Sequence, residues 1–205
     1  MLNRPLFVTG IGTGIGKTIV SAVLVEKLKA DYWKPVQSGD LEDSDTLKVK
    51  SLISNSTSVF HDEAYRLTQP FSPHKSAAID NITINPEKIN LPPTENLLII
   101  EGAGGLMVPL NKHFLMIDLI KQLGAEVLLV SQNYLGSINH TLLTIYALKG
   151  ENIPIKGIIF NGQKDIYTKE FILDHSQLQL LGHIPEYGTL DKKVIIDAGN
   201  YISEW

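Results

Sequence analysis

The chain has 205 residues, 43% hydrophobic and 20% charged, and carries a formal net charge of −4. That suits one α/β domain over 1–205 and argues against bulk attraction to nucleic acid or an acidic membrane. It contains no cysteine, so disulfides, thiolate zinc sites, cysteine-ligated clusters and cysteine nucleophiles are excluded. Met1 to Pro5 lead straight into an apolar stretch with no signal-peptide core. No apolar run approaches the ~20 residues of a membrane span. The expectation is a cytoplasmic protein without membrane or nucleic-acid partners.

Leu6–Thr9 reads as a buried strand. It runs into Thr9-Gly10-Ile11-Gly12-Thr13-Gly14-Ile15-Gly16-Lys17-Thr18, and Thr18–Lys29 then shows apolar residues at helical spacing. Strand, glycine-rich loop and Gly-Lys-Thr opening a helix is the layout of a phosphate-binding P-loop. Glycines let backbone N–H groups approach phosphate oxygens, and the helix N-terminus adds partial positive charge. Lys17 then reaches the terminal phosphates and Thr18 offers its hydroxyl to Mg²⁺. The common spacing places a glycine five residues before the Gly of Gly-Lys-Thr. Here that position is Ile11, with Gly10 one residue further back.

Tyr32–Val36 is a weaker strand, followed by Gln37-Ser38-Gly39. Lys34 near its end can neutralise a phosphoryl group or a carboxylated substrate, or simply snorkel at a strand edge. Ser38 can donate to a substrate or stabilise its own turn. Asp43–Ile53 reads as a helix with a possible Ser44 cap. Asp45 in its first turn serves either a metal or the helix dipole. Residues 54–96 are irregular and polar, and read as a short helical hairpin or a loop-rich excursion over one sheet edge.

Leu97–Glu101 is a buried strand ending in a carboxylate, then Gly102-Ala103-Gly104-Gly105. A carboxylate there, facing a P-loop, suits a second Mg²⁺ contact. Met116–Leu123 is a helix closed by Gly124. Val127–Ser131 is a strand whose following segment contains Gly136-Ser137, opening the helix Ile138–Leu148. That helix start suits a carboxylate ligand, while Ser137 also reads as an ordinary N-cap. His140 reads as a packing or hydrogen-bonding histidine. Ile155–Asn161 is a strand, and Asn161 reads a nucleobase edge or caps a turn. The weaker strand Leu180–Ile184 leads to Pro185, Glu186 and Tyr187, a loop able to lie over a base. Alternating strands and helices imply a P-loop, doubly wound, mostly parallel sheet with helices on both faces and ligands at the strands' carboxyl ends.

Taken together, these pieces resemble the dethiobiotin synthetases. The resemblance rests on Phe7-Val8-Thr9-Gly10, Gly16-Lys17-Thr18, Lys34-Pro35-Val36-Gln37-Ser38-Gly39, Ser44-Asp45, Pro70-Phe71-Ser72-Pro73-His74 and Glu101-Gly102-Ala103-Gly104-Gly105. It continues through Leu135 to Thr144, Asn161 and Gly182-His183-Ile184-Pro185. The five-residue spacer before Gly-Lys-Thr is also a family trait. The resemblance implies Mg²⁺- and ATP-dependent carboxylation of 7,8-diaminononanoate with CO₂ or bicarbonate, then ureido ring closure. It implies ATP contacts from Gly12, Thr13, Gly14, Ile15, Gly16, Lys17, Thr18 and Ile19, and from Asp45, Glu101, Gly102, Ala103 and Gly104. Asn161, Gly162, Pro185, Glu186 and Tyr187 would hold adenine. Lys34, Lys17, Thr13 and Ser38 would serve catalysis, and Thr18, Asp45 and Glu101 would hold the metal. The Pro70–His74 segment would cover the labile intermediate. Substrate would meet Ser38 and Lys34, with its tail carboxylate on Gly136, Ser137 and Asn139 of a neighbouring subunit, which implies a homodimer. Family loops often read Thr-Asp-Thr-Glu-x-Gly-Lys-Thr. Here Gly12 and Gly14 replace both acids, which predicts a more flexible loop and weaker or less selective ATP binding.

Three rivals are disfavoured. A partitioning or division-positioning ATPase switch carries a second lysine where this chain has Gly12. A GTPase needs Asn-Lys-x-Asp, which Asn161-Gly162-Gln163-Lys164-Asp165 lacks. A binding-only paralogue has no need of Lys34, Asp45 and Glu101 together.

Overall fold

The computed structural model describes residues 4–204. Its strands are β1 (Leu6–Gly10), β2 (Asp31–Trp33), β3 (Val36–Ser38), β4 (Phe60–His61), β5 (Tyr65–Leu67), β6 (Leu98–Glu101), β7 (Glu126–Gln132), β8 (Ile155–Asn161) and β9 (Leu180–Ile184). Its helices are α1 (Lys17–Leu28), α2 (Asp45–Leu52), α3 (Pro73–Ile79), α4 (Met116–Gln122), α5 (Ser137–Gly150), α6 (Ile166–Ser176) and α7 (Lys192–Ala198).

Seven strands form one sheet in the order β4-β2-β6-β1-β7-β8-β9, every pair parallel. Alternation along each strand sends side chains to two cores. Leu6, Val8, Ile99, Leu128, Val130 and Ile159 face the cluster that includes Val23, Val49 and Ile195 of α1, α2 and α7. Phe7, Leu98, Ile100 and Val127 face the cluster built with Ala77, Met116, Leu119 and Leu148 of α3, α4 and α5. Leu129, Ile158 and Phe160 pack on the same side with Ile145 and Ile172 of α5 and α6. The expected doubly wound architecture is therefore present.

Register decides what meets at the strand ends. Val8 lies opposite Glu101, and Trp33 lies opposite Ile100. Lys34 therefore emerges beside Glu101, and the loop after β1 emerges on the other side of it. The sheet is built outward from β1 in both directions, and ligands bind at such switch points.

Several elements differ from expectation. The single strand expected over Tyr32–Val36 is two strands: β2 lies in the main sheet and β3 pairs with β5 in a separate two-stranded sheet. Pro35 has no N–H to continue the ladder, so the chain breaks there. The second helix starts at Asp45 rather than Asp43, because Ser44 caps it by accepting from the Leu47 N–H. Of the two readings of residues 54–96, the loop-rich one holds. That excursion supplies the edge strand β4, the short β5 and α3. The sequence reading missed α6 and α7, although Asp165 and Asp191 cap both with side-chain bonds to backbone N–H groups.

Candidate active site

The P-loop links β1 to α1 with Gly16 at the N-cap and φ 89°. A side chain on Gly16 would be strained at that angle and would collide with Asn161. Asn161 at the end of β8 donates from Nδ2 to the Ile15 carbonyl at 3.1 Å. It therefore ties the loop to the neighbouring strand, a role neither of its two expected readings included. Ile15 itself is buried in the core and presents backbone only.

Beside the loop lies a cleft of about 630 Å³, lined by Thr13, Gly14, Gly16, Lys17, Thr18, Ile19, Lys34, Ser38, Asp45, Glu101, Ala103, Gly104 and the Pro70–Pro73 segment, among others. That volume is in the usual range for a small-molecule site. The sequence placed each of these residues near a ligand from separate positions, and the fold brings them together. Gly102 lies beneath, where its carbonyl accepts from Lys34 Nζ at 3.2 Å. Pro70 backs against Gly39, which has φ 73° and where a Cβ would come within 2.6 Å of Pro70 Cα. Only glycine fits there, so the cleft wall is pinned to the turn after Ser38.

The polar centre is compact. Thr18 Oγ1 lies 2.9 Å from Glu101 Oε1 and 3.1 Å from Asp45 Oδ1. One hydroxyl proton cannot serve both carboxylates at once. Lys34 Nζ lies 2.6 Å from Asp45 Oδ2 and 3.3 Å from Glu101 Oε1, and the residue is only 4% exposed. The snorkelling reading of Lys34 is thereby overturned. Asp45 opens α2 and also faces the centre, a position that suits either of its two expected roles. Burial works against the Lys34 charge, but the Glu101 and Asp45 carboxylates outweigh it and raise its pKa. Burial likewise opposes the Asp45 charge, yet Lys34 and the Thr18 hydroxyl hold its carboxyl below the usual aspartate range. Lys17 Nζ donates to the Gly12 carbonyl at 2.9 Å. Burial first, and then the Lys34 charge, bring Lys17 down to about 8. The Ser38 hydroxyl is buried in the cleft wall without a hydrogen-bond partner among the described residues.

Three hard oxygens, from Thr18, Asp45 and Glu101, thus converge on one point. Among the described residues no group of three or more His, Cys, Asp or Glu could hold a metal alone. Mg²⁺ needs no such cage, because it takes one or two carboxylates and completes its shell with phosphates and water. The residues present fit it.

The model of the family described as "AAA domain" matches residues 4–194. The chain is 52% identical over 194 residues to the ATP-dependent dethiobiotin synthetase of Christiangramia forsetii, covering 95% of this chain and 93% of that one. It is 48% identical to the same enzyme of Cytophaga hutchinsonii, covering 94% and 93%. The chain belongs to the ATP-dependent dethiobiotin synthetase family. Its class is that of an ATP-dependent ligase of biotin biosynthesis. Among solved structures it is similar to Pyrococcus horikoshii MinD complexed with Mg-ADP, with TM-score 0.61 and 16% identity over 95% of this chain and 86% of that one. It is also similar to a ParA family ATPase from Chlorobium tepidum, with TM-score 0.56 and 14% identity over 98% and 100%. Those likenesses carry the fold alone.

Some residues that the family resemblance singled out lie outside the cleft lining. Gly136 is the N-cap of α5 with φ 101°, so Ser137 is the first helical residue and not the cap that its sequence suggested. Ser137 is buried, whereas Gly136 and Asn139 are exposed. His140 accepts or donates at Nδ1 with the Tyr134 hydroxyl at 2.8 Å, as a hydrogen-bonding histidine should. Gly162 receives from His183 Nε2 at its carbonyl, and Glu186 lies 3.4 Å from Gln163 Nε2. The Tyr187 hydroxyl is buried without a partner among the described residues, and burial together with nearby Tyr201 and Asp197 raises its pKa. His74 lies outside the lining, with its backbone N–H on the Pro109 carbonyl.

Two residues hydrogen-bonded to the polar centre were missed. Gln37 accepts the Asp45 N–H at 3.3 Å and donates to the Gly39 carbonyl at 3.0 Å. Tyr32 donates to Glu101 Oε2 at 3.0 Å from full burial. The only available signal for Tyr32 was a phenol in an otherwise buried strand, where its hydroxyl needs a partner.

Proposed function

We propose that the enzyme adds CO₂ to one amine of 7,8-diaminononanoate and phosphorylates the resulting carbamate with ATP. The second amine then attacks the carbamoyl carbon, closing the ureido ring and expelling phosphate. The products are dethiobiotin, ADP and phosphate. The observation that carries this reading is the single cleft that Lys17, Lys34, Thr18, Asp45 and Glu101 line together with Ser38, whose hydroxyl has no hydrogen-bond partner among the described residues.

Each residue answers a chemical need. A carbamate is a weak nucleophile, so positioning and charge neutralisation are the main sources of rate. Lys34 is held charged between two carboxylates, and it can turn to the carbamate and the transferring phosphoryl group. Lys17 gives up the Gly12 carbonyl for the terminal phosphates. Thr13 and Ser38 hydrogen-bond the carbamate or the diamine. Thr18, Asp45 and Glu101 would hold Mg²⁺, which would supply positive charge to neutralise the phosphates. The Pro70–Pro73 wall keeps water from the acyl phosphate.

The nucleotide then lies along the loop, with adenine between Asn161-Gly162 and the Pro185–Tyr187 loop. The whole of 1–205 acts as one domain in the cytoplasm. Among the described residues no helix is long and apolar enough to cross a membrane. A homodimer is supported by the exposed start of α5. Leu135 is fully exposed, and Leu143 and Tyr146, at 58% and 54%, share one helix face with Asn139. On this reading the tail carboxylate of the substrate would meet Gly136, Ser137 and Asn139 of that second copy.

The test is phosphate release with Mg²⁺-ATP and bicarbonate, with and without the diamine, and product mass read in parallel. Diamine-dependent release matched by dethiobiotin is expected. Release indifferent to the diamine would overturn the reading.

A further inference from the structure

Glu101 uses its two carboxylate oxygens differently. Oε1 faces Thr18 at 2.9 Å and Lys34 at 3.3 Å on the cleft side. Oε2 receives the Tyr32 hydroxyl at 3.0 Å on the sheet side. Tyr32 is fully buried in β2 and its ring packs against Phe60, with centroids 5.7 Å apart. A phenylalanine would fill the same space, so the bond to Glu101 is what the hydroxyl adds.

We propose that Tyr32 is a positioning residue that makes Glu101 a one-oxygen ligand and so favours Mg²⁺ over the larger Ca²⁺. This rests on the reading of Thr18, Asp45 and Glu101 as the metal ligands. Mg²⁺ demands near-octahedral geometry with short bonds to single carboxylate oxygens. Ca²⁺ takes more oxygens at longer distance and often grips a carboxylate by both. To offer both, Glu101 would have to turn Oε2 into the cleft and strand a buried phenol without a partner, which is unfavourable. Donors behind a metal ligand orient it in this way and are felt in affinity.

The experiment is calorimetric titration of the full chain, saturated with ADP, with MgCl₂ and with CaCl₂. It compares the wild type with Tyr32→Phe, Glu101→Gln and the double variant. Tyr32→Phe is expected to lower the ratio of Mg²⁺ to Ca²⁺ affinity by about 10-fold. In the Glu101→Gln background the same change should do nothing further, which a purely structural role would not explain. An unchanged ratio in Tyr32→Phe, or an equal drop in both backgrounds, overturns the inference and leaves the metal reading standing. Mg²⁺ binding unaffected by Glu101→Gln overturns the metal reading itself. Should Tyr32→Phe not fold, Glu101→Asp keeps the charge and withdraws it from Tyr32. It is expected to lose the same discrimination, and retention would sink the proposal.

Discussion

At the amino end of β2, Asp31 accepts the Val59 N–H at 2.9 Å, the Thr94 hydroxyl at 2.6 Å and the Asn96 amide at 3.2 Å. At the carboxyl end of the same strand, Lys34 meets Asp45 at 2.6 Å and Glu101 at 3.3 Å. Both residues are buried, at 3% and 4% exposure. Asp31 has neutral donors for both oxygens, with His61 3.6 Å away, and those donors come from both ends of the 54–96 excursion. The cluster is closed and fastens that excursion to the sheet. The Lys34 cluster instead crowds like-charged groups together: Lys17 beside Lys34, and Asp45 sharing Thr18 with Glu101. It opens on the cleft. Burial alone does not mark function; charge left to be completed by a ligand, at the carboxyl end of parallel strands, does.

The largest expected effect tests the open end. Lys34→Met should cut diamine-dependent phosphate release by about 10²–10³-fold, as loss of a charge-stabilising group does. Nucleotide should still bind through the P-loop. The melting temperature should rise more with Mg²⁺ than in the wild type, because Asp45 and Glu101 then face each other without the ammonium. Turnover close to wild type would break the contrast between the two ends.

Asp31→Asn tests the closed end and should cost about 1–3 kcal/mol, the penalty for disturbing buried, well-bonded groups. Turnover of the folded fraction should not change. Burial opposes the Asp31 charge, but Thr94, Val59 and Asn96 outweigh it and hold its carboxyl below the usual value of 3.8. A depressed carboxylate contributes stability that is present above the unfolded value and lost as pH falls through the folded one. The gap between wild type and variant, read by urea unfolding, should therefore narrow as pH drops below about 3.8. A gap that is constant with pH would mean that Asp31 acts by shape alone.

How much of this was legible in the sequence follows the same division. Lys34, Asp45 and Glu101 stand out because each follows or opens a regular element with a charge. The P-loop stands out because its glycines have a mechanism. The break at Pro35 was also readable from its missing N–H, but Tyr32, Trp33 and Val36 on either side of it suggested one continuous strand. Phe60–His61 and Tyr65–Leu67 are too short to show any period. The closed cluster was invisible because Asp31, Val59, Thr94 and Asn96 are distant in sequence and ordinary in type. Tyr32 was hidden for a related reason. Its partner is set by register between β2 and β6, which sequence spacing does not carry.

A smaller effect sharpens the comparison at the loop. Asn161→Ala removes the bond to the Ile15 carbonyl and should cost about 0.5–1.5 kcal/mol in stability. If that bond also holds the loop in its binding shape, ADP affinity should fall by a similar free energy, up to about tenfold. A loss of stability with unchanged ADP affinity would move Asn161 from the open end of the sheet to the merely supporting one.

The smallest expected effect concerns Gly12. A Cβ there would meet nothing within 4 Å, and its φ is not positive, whereas Gly14 has φ 75° and would be strained by any side chain. Gly12→Ala should therefore stabilise by about 0.4–1 kcal/mol through a less flexible unfolded chain, and Gly14→Ala should not. The Gly12 carbonyl that receives Lys17 is backbone and survives the change. If loop flexibility weakens nucleotide binding, Gly12→Ala should also tighten ADP, because less entropy is lost when the loop orders. Added stability with unaltered affinity would instead mean that the loop is already ordered by Asn161 and the Lys17 bond. The two glycines would then mark where acidic side chains are absent, not where motion is needed.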